Sequence, residues 1–138
     1  MVVLEDGAVH LYEMNSGQET HSFNLKNGGR VLFSPSGKSL VGITDNQDLI
    51  VWDTSTGKKL GSLSGLDWVH GVTFTPQEDV LAVIDGAGLL QLWDLAAWKR
   101  LASLGGYGEN AHPLQFSPGG RLLAGGSEDG YIYLWGAP

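Results

Sequence analysis

Two histidines at matching positions are the first residues that could do chemistry. His70 and His112 each lie four residues before the phenylalanine of a recurring Phe-Ser/Thr-Pro motif. Imidazole titrates near neutral pH and is a common metal ligand, so a pair on adjacent elements could hold a metal ion or shuttle a proton. The alternative, which we favour, is that both rings occupy equivalent packing positions on an apolar strand face.

Other catalytic arrangements lack essential parts. The chain has no cysteine, which excludes disulfides, thiolate metal sites and cysteine nucleophiles. Ser127, Glu128 and Asp129 adjoin one another without a plausible histidine partner, so they do not indicate a hydrolase. The glycine-rich stretch 105–108 is not followed by the helix that a phosphate-binding loop needs. We therefore expect a non-enzymatic protein without a cofactor.

The elements that position these residues repeat along the chain with a period near 41 residues. Fixed periods of this length are typical of repeat architectures. The first marker is Phe33-Ser34-Pro35, Phe74-Thr75-Pro76 and Phe116-Ser117-Pro118. The second is Tyr12-Glu13, Trp52-Asp53, Trp93-Asp94 and Trp135-Gly136, and the third is Phe23, Leu63 and Leu104.

Each period has the pattern of four short strands. Apolar residues alternate or run in short groups between Gly, Pro, Asn and Asp, and the 21 glycines of the 138 residues indicate many tight turns. In the third period the predicted strands are Lys99 to Gly105, Ala111 to Phe116, Leu122 to Gly126 and Tyr131 to Trp135. The one helix candidate, residues 95–98, is too short and is predicted to be a turn.

With Trp-Asp closing the third strand and Phe-Ser-Pro closing the first, the sequence resembles the WD40-repeat β-propeller family over essentially its whole length. The resemblance implies an all-β fold of four-stranded antiparallel blades that forms an incomplete ring and acts as a protein-binding scaffold. The family's Gly-His pair is absent, and its turn Asp is replaced by Asn46 and Ala87 in the middle repeats. We therefore expect the buried Asp-His-Ser/Thr-Trp network of the family to be incomplete.

Lettering the strands a to d outward from the ring centre, the chain contains two complete blades between two partial ones. The predicted units are a partial blade 1–27, blades 28–65 and 69–105, and a partial blade 111–138. Since a propeller closes with typically about 4–8 blades, one chain holds an incomplete ring. Its first and last sheets should each expose an apolar face. We expect self-association, most simply a homodimer that closes one ring.

Three alternatives to this scaffold stay open. The chain could be a fragment of a longer protein that supplies the remaining blades. It could be a metal- or ligand-binding enzyme that uses His70 and His112 in the channel. It could also be a purely structural spacer or oligomerisation module.

One rim of the blades should be acidic, namely the rim formed by the d-to-a and b-to-c connections. Carboxylates with exposed aromatic side chains suit a protein or basic peptide through charge complementarity and cation–π contacts. The candidate partner-binding residues are Trp68, Tyr107, Asp67, Glu109, Asn110, Asp45, Asp85 and Asp129. The other interpretation is that the carboxylates form turns and that both aromatic residues pack between blades.

Charge and hydropathy limit the classes of partner that the chain is expected to bind. Eight basic and fifteen acidic residues give a net charge of −7, which disfavours nucleic acid and anionic membranes. The sequence has no apolar run long enough to span a membrane. The absence of cysteine is compatible with a cytoplasmic location, which we expect.

Overall fold

The structure, a computed structural model, describes residues 2–5, 7–25, 29–105, 111–128 and 130–136; of residues 2–5, 111 and 112 it describes the backbone alone. These ranges contain fourteen strands and no helix. The strands are β1 (Val2–Glu5), β2 (Ala8–Tyr12), β3 (Glu19–Asn24), β4 (Arg30–Phe33), β5 (Ser39–Ile43), β6 (Leu49–Asp53), β7 (Lys59–Leu63), β8 (Gly71–Phe74), β9 (Val80–Ile84), β10 (Leu90–Asp94), β11 (Lys99–Leu104), β12 (Ala111–Phe116), β13 (Leu122–Ser127) and β14 (Ile132–Gly136).

The strands form four sheets in which sequence neighbours pair antiparallel. Their orders are β1-β2-β3, β4-β5-β6-β7, β8-β9-β10-β11 and β12-β13-β14, and none of these sheets is closed. The predicted all-β fold of antiparallel blades is therefore confirmed. Residues 95–98 form a turn, as the sequence predicts. No helix among the described residues has the length and apolar character needed to cross a membrane.

The chain divides into two compact units, Met1–Gly65 and Leu66–Pro138, which we call unit 1 and unit 2. Each unit holds two sheets with a hydrophobic core. The buried core of unit 1 consists of Val9, Leu11, Phe23, Leu25, Leu40 and Trp52. The buried core of unit 2 consists of Ala82, Ile84, Leu90, Leu114 and Leu123, with Leu92, Phe116 and Trp135 packed against it.

Glycine lets the tryptophan of the second sheet pack over the neighbouring strand, β5. A Cβ atom on Gly42 would stand 2.5 Å from Leu25 Cδ1 and 2.8 Å from Trp52 Cζ3. The same arrangement recurs in unit 2, where a Cβ on Gly125 would stand 3.0 Å from Trp135 Cη2. These positions therefore require glycine because the aromatic ring occupies the space of a side chain.

In the part of the chain that the structure describes, three turns place a residue other than glycine in the left-handed region. Gln47, Glu78 and Trp98 have φ values of 64°, 63° and 53°. Their counterparts in other repeats are left-handed glycines: Gly88 and Gly130 for Gln47, Gly37 and Gly120 for Glu78, and Gly17 and Gly57 for Trp98. A side chain with a Cβ is strained in this region, so the three turns depart from the glycine that the repeat favours.

The aspartate of the Trp-Asp motif closes the turn that follows it. Asp53 Oδ1 accepts hydrogen bonds from the hydroxyl and backbone N–H groups of Ser55 and Thr56, at 2.7–3.0 Å. These bonds, that of the Ser55 hydroxyl first, lower the pKa of Asp53 to about 2. The backbone N–H groups of Ala97 and Ala96 likewise lower the pKa of Asp94. The motif is therefore a turn former in this chain.

Candidate functional site

Two loops meet at one end of unit 2 and form the candidate site. The segment 66–70 leads into β8, and the loop 85–89 joins β9 to β10. The backbone N–H of Gly86 donates to the carbonyl of Asp67 at 3.2 Å. A Cβ on Gly86 would lie 3.1 Å from Trp68 Cβ, so the glycine allows the loops to approach this closely.

Trp68 is a large apolar side chain that this pair of loops exposes to solvent. Its side chain is 62 % exposed, and the neighbouring Asp67 is exposed as well. Val69, the next residue, is fully buried and anchors the segment. An indole held on a short anchored loop beside a carboxylate can contact a cationic side chain by both cation–π and charge attraction. Asp67 and Trp68 are thus both exposed on this segment, and their binding of a partner stays a prediction.

Asp85 lies in the same pair of loops, yet it does not face solvent. It is only 3 % exposed. Its Oδ1 accepts from the backbone N–H groups of Ala87 at 3.1 Å and Leu89 at 3.0 Å, and its Oδ2 accepts from Gln91 Nε2 at 2.8 Å. The expectation that Asp85 contacts a partner is therefore wrong, because its carboxylate is fully engaged in the turn.

The equivalent loop of unit 1 shows why this position is structural. There Thr44 occupies the place of Asp85, is also 3 % exposed, and its Oγ1 accepts from the N–H of Asp48 at 3.1 Å. A buried side-chain oxygen at the start of the loop thus recurs in both units. The sequence signal was Gln91, a polar residue between Leu90 and Leu92, which needs a partner when it is buried.

The structure says less about the other residues predicted to bind a partner. Asp45 is exposed in the β5–β6 loop of unit 1, where its backbone carbonyl lies 3.5 Å from Gln47 Nε2. Tyr107, Glu109, Asn110 and Asp129 lie outside the described residues.

The histidine pair stays a prediction. His70 is half-buried, with its ring near Gly86, whereas the side chain of His112 is outside the described part of the chain. Within that part, no group of three His, Asp or Glu side chains is arranged to hold a metal ion.

The last sheet exposes an apolar face and a free edge. Ile132 and Leu134 alternate along β14 on one face and are 77 % and 67 % exposed. Among the described strands β14 pairs only with β13, so its other edge has no strand partner. Unpaired strand edges and contiguous exposed apolar side chains commonly mark association surfaces.

In the first sheet, the face of β2 and β3 opposite the core of unit 1 carries polar side chains. Period-2 alternation buries Val9 and Leu11 and turns His10 and Tyr12 to the opposite face. His10 Nδ1 lies 3.2 Å from Glu19 Oε1 across the strand pair. The described side chains of this face, which belong to β2 and β3, are thus mainly polar. The apolar face expected at the first sheet stays a prediction, because the side chains of β1 lie outside the described residues.

The tryptophan network expected to be incomplete is indeed broken at Trp93. Its indole Nε1 is buried and has no hydrogen-bond partner within the described residues. Ala87, at the turn position where the family has Asp, offers no side-chain acceptor. Within the described part of the chain, the Trp93 indole therefore lacks the hydrogen bond that the family's network would supply.

Comparisons with known proteins agree with this architecture. The WD40 family profile, described as "WD domain, G-beta repeat", matches residues 114–136, which span β12 to β14. The chain is 32 % identical over 103 residues to "Periodic tryptophan protein 2" of Arabidopsis thaliana, covering 73 % of this chain and 11 % of that protein. It is 26 % identical over 132 residues to "Serine-threonine kinase receptor-associated protein" of Gallus gallus, covering 95 % and 37 %.

A third relative, "Lissencephaly-1 homolog 1" of Paramecium tetraurelia, is 30 % identical over 135 residues, covering 95 % of this chain and 29 % of that protein. The chain thus spans little more than a third, or less, of the length of these relatives. The Trp-Asp and Phe-Ser-Pro period, the open antiparallel sheets and the profile match all point the same way. This chain belongs to the WD40-repeat family, of which it carries a partial propeller.

Proposed function

We propose that the chain is a non-enzymatic protein-interaction scaffold that completes its propeller by self-association, most simply as a dimer. The observation that carries this proposal is the apolar face of β14 beside its free edge. The WD40 profile match supports the scaffold role, and the printed name of the Gallus gallus relative describes that protein as receptor-associated.

The energetics favour covering this face. Burying a large aliphatic side chain stabilises an association by about 1.5–3 kcal/mol, and Ile132 and Leu134 leave most of their surface in water. A second copy contributes the same residues if the contact is symmetric. A strand added to the edge of β14 would also satisfy its outward backbone groups. Together these terms are sufficient to offset part of the entropic cost of association.

Charge placed on this face tests the proposal. The solution mass of the Ile132→Lys/Leu134→Lys variant is compared with wild type by light scattering, with circular dichroism to verify folding. Leu60→Lys is the matched control, since Leu60 is 48 % exposed on β7 in the other unit. We expect the double variant to be monomeric, whereas wild type and Leu60→Lys associate. A folded double variant that associates as wild type does would contradict the proposal.

Binding of a basic peptide beside Trp68 is the second candidate function. It is favoured by the exposed indole next to Asp67 on an anchored loop. Titration with a capped arginine-containing hexapeptide should show several-fold weaker binding for Trp68→Ala and Asp67→Asn. Met14→Ala, at a 74 % exposed position in unit 1, should bind as wild type does. Identical binding by all four proteins would favour the spacer interpretation instead.

A further inference from the structure

Unit 2 contains an apolar groove between its two sheets. Its volume is about 270 Å³, and the side chains that line it include Leu90, Leu92, Leu104, Phe116, Leu123 and Trp135. Arg121 also lines the groove and is the one charged residue there. It makes no hydrogen bond or ion pair with the rest of the described chain.

The corresponding space in unit 1 is filled by an aromatic ring. There Phe23, on β3, packs against Trp52 with ring centroids 5.2 Å apart and is only 5 % exposed. The repeat places Leu104 at the position of Phe23 and Trp135 at the position of Trp52. Leu104 is 41 % exposed. The groove is therefore the space that an aromatic side chain from an extended strand occupies in unit 1.

We propose that this groove binds a partner peptide in extended conformation, with an aromatic side chain in the groove and a neighbouring carboxylate on Arg121. The arrangement in unit 1 shows that a strand can present a ring to this kind of space. The unpaired guanidinium supplies the charge complementarity, since carboxylates bind guanidinium through charge-assisted hydrogen bonds. The net charge of −7 means that most of the chain repels an acidic peptide. Arg121 provides a positive charge at the groove, where the carboxylate of such a peptide can bind.

This site goes beyond the proposed function and is separate from it. Alternation along β14 turns Trp135 toward the groove and Leu134 to the opposite face of the sheet. Leu122 and Gly136, which share the face of Leu134, also line the groove, but Ile132 and Leu134 themselves do not. The groove variants at Leu104 and Arg121 lie outside β14, so the two proposals are tested by different residues.

The experiment uses the whole chain and a capped tetrapeptide, acetyl-Gly-Phe-Asp-Gly-amide, followed by leucine-methyl NMR. Two control peptides carry Ala for Phe or Asn for Asp, and 3-phenylpropionate represents a free small ligand. The variants are Leu104→Phe, which restores the ring found in unit 1, and Arg121→Gln. Lys38→Gln is the matched control, because Lys38 is the exposed repeat counterpart of Arg121.

We expect saturable binding by wild type and Lys38→Gln, and at least tenfold weaker binding by Leu104→Phe. Arg121→Gln should lower the affinity for the Asp peptide by about tenfold and leave the affinity for the Asn peptide unchanged. Failure of wild type to bind at millimolar peptide, or unchanged binding by both groove variants, would overturn the proposal. An affinity for 3-phenylpropionate equal to that for the peptide would also overturn the proposal and favour a free small ligand. Groove resonances that shift only with protein concentration would overturn it and favour a second copy of the chain.

Discussion

Replacing Asp85 with alanine should destabilise unit 2 far more than an equivalent change at an exposed loop carboxylate. Asp85 is 3 % exposed and accepts three hydrogen bonds, one of them from Gln91, which is itself only 5 % exposed. An orphaned buried amide costs about 1–3 kcal/mol, and each lost turn bond adds about 0.5–1.5 kcal/mol. We therefore expect Asp85→Ala to lower the free energy of unfolding by about 3 kcal/mol.

Urea unfolding at one fixed protein concentration measures this effect, since association makes stability depend on concentration. Asp45→Ala is the matched control, and at this exposed position we expect a change within about 0.5 kcal/mol. The double variant Asp85→Ala/Gln91→Leu removes both partners and should recover part of the loss. If Asp85→Ala were as mild as Asp45→Ala, the assignment of Asp85 as a turn former would be refuted.

Three further perturbations test the fold. Gly42→Ala should cost about 1–3 kcal/mol in urea unfolding, because its Cβ would overlap Trp52, whereas Gly119→Ala, with nothing within 4 Å of its Cβ, should be nearly neutral. Gln47→Gly should raise the free energy of unfolding by up to about 1 kcal/mol by relieving its left-handed strain, and Gln47→Ala, which keeps the strain, should not. The pKa of Asp53, about 2 in the folded state, lies below its ordinary value, so the stability it contributes should be full above about pH 4 and lost as pH falls toward 2. Thermal unfolding of Asp53→Asn should lack that portion of the acid dependence; an unchanged profile would contradict this role.

The strands could be predicted from sequence because their boundaries depend on local chemistry. Phe-Ser/Thr-Pro, Trp-Asp and the intervening glycines set turns within a few residues, and the same set recurs each period. The predicted strand over residues 111–116 agrees with β12 at both ends, and the outer strand predicted from Lys99 ends one residue earlier, at Leu104. Short-range turn signals therefore predict most of the strand boundaries.

The candidate site was harder to predict because burial of a loop side chain depends on distant residues. Asp45 and Asp85 look alike in sequence, yet only Asp85 has a buried amide, that of Gln91, to bind. Similarly, the change from Phe23 to Leu104 in the repeat looks conservative, since both residues are apolar. Only the packing against Trp135 shows that it leaves an open groove.

The solution mass of the purified chain is the most direct test of the proposed self-completing scaffold. A single chain weighs 14.7 kDa. The proposal predicts, by light scattering at micromolar concentration, a mass of about twice that value for wild type, since two copies are the simplest closed ring. A stable, folded species with the mass of one chain at high concentration would contradict it.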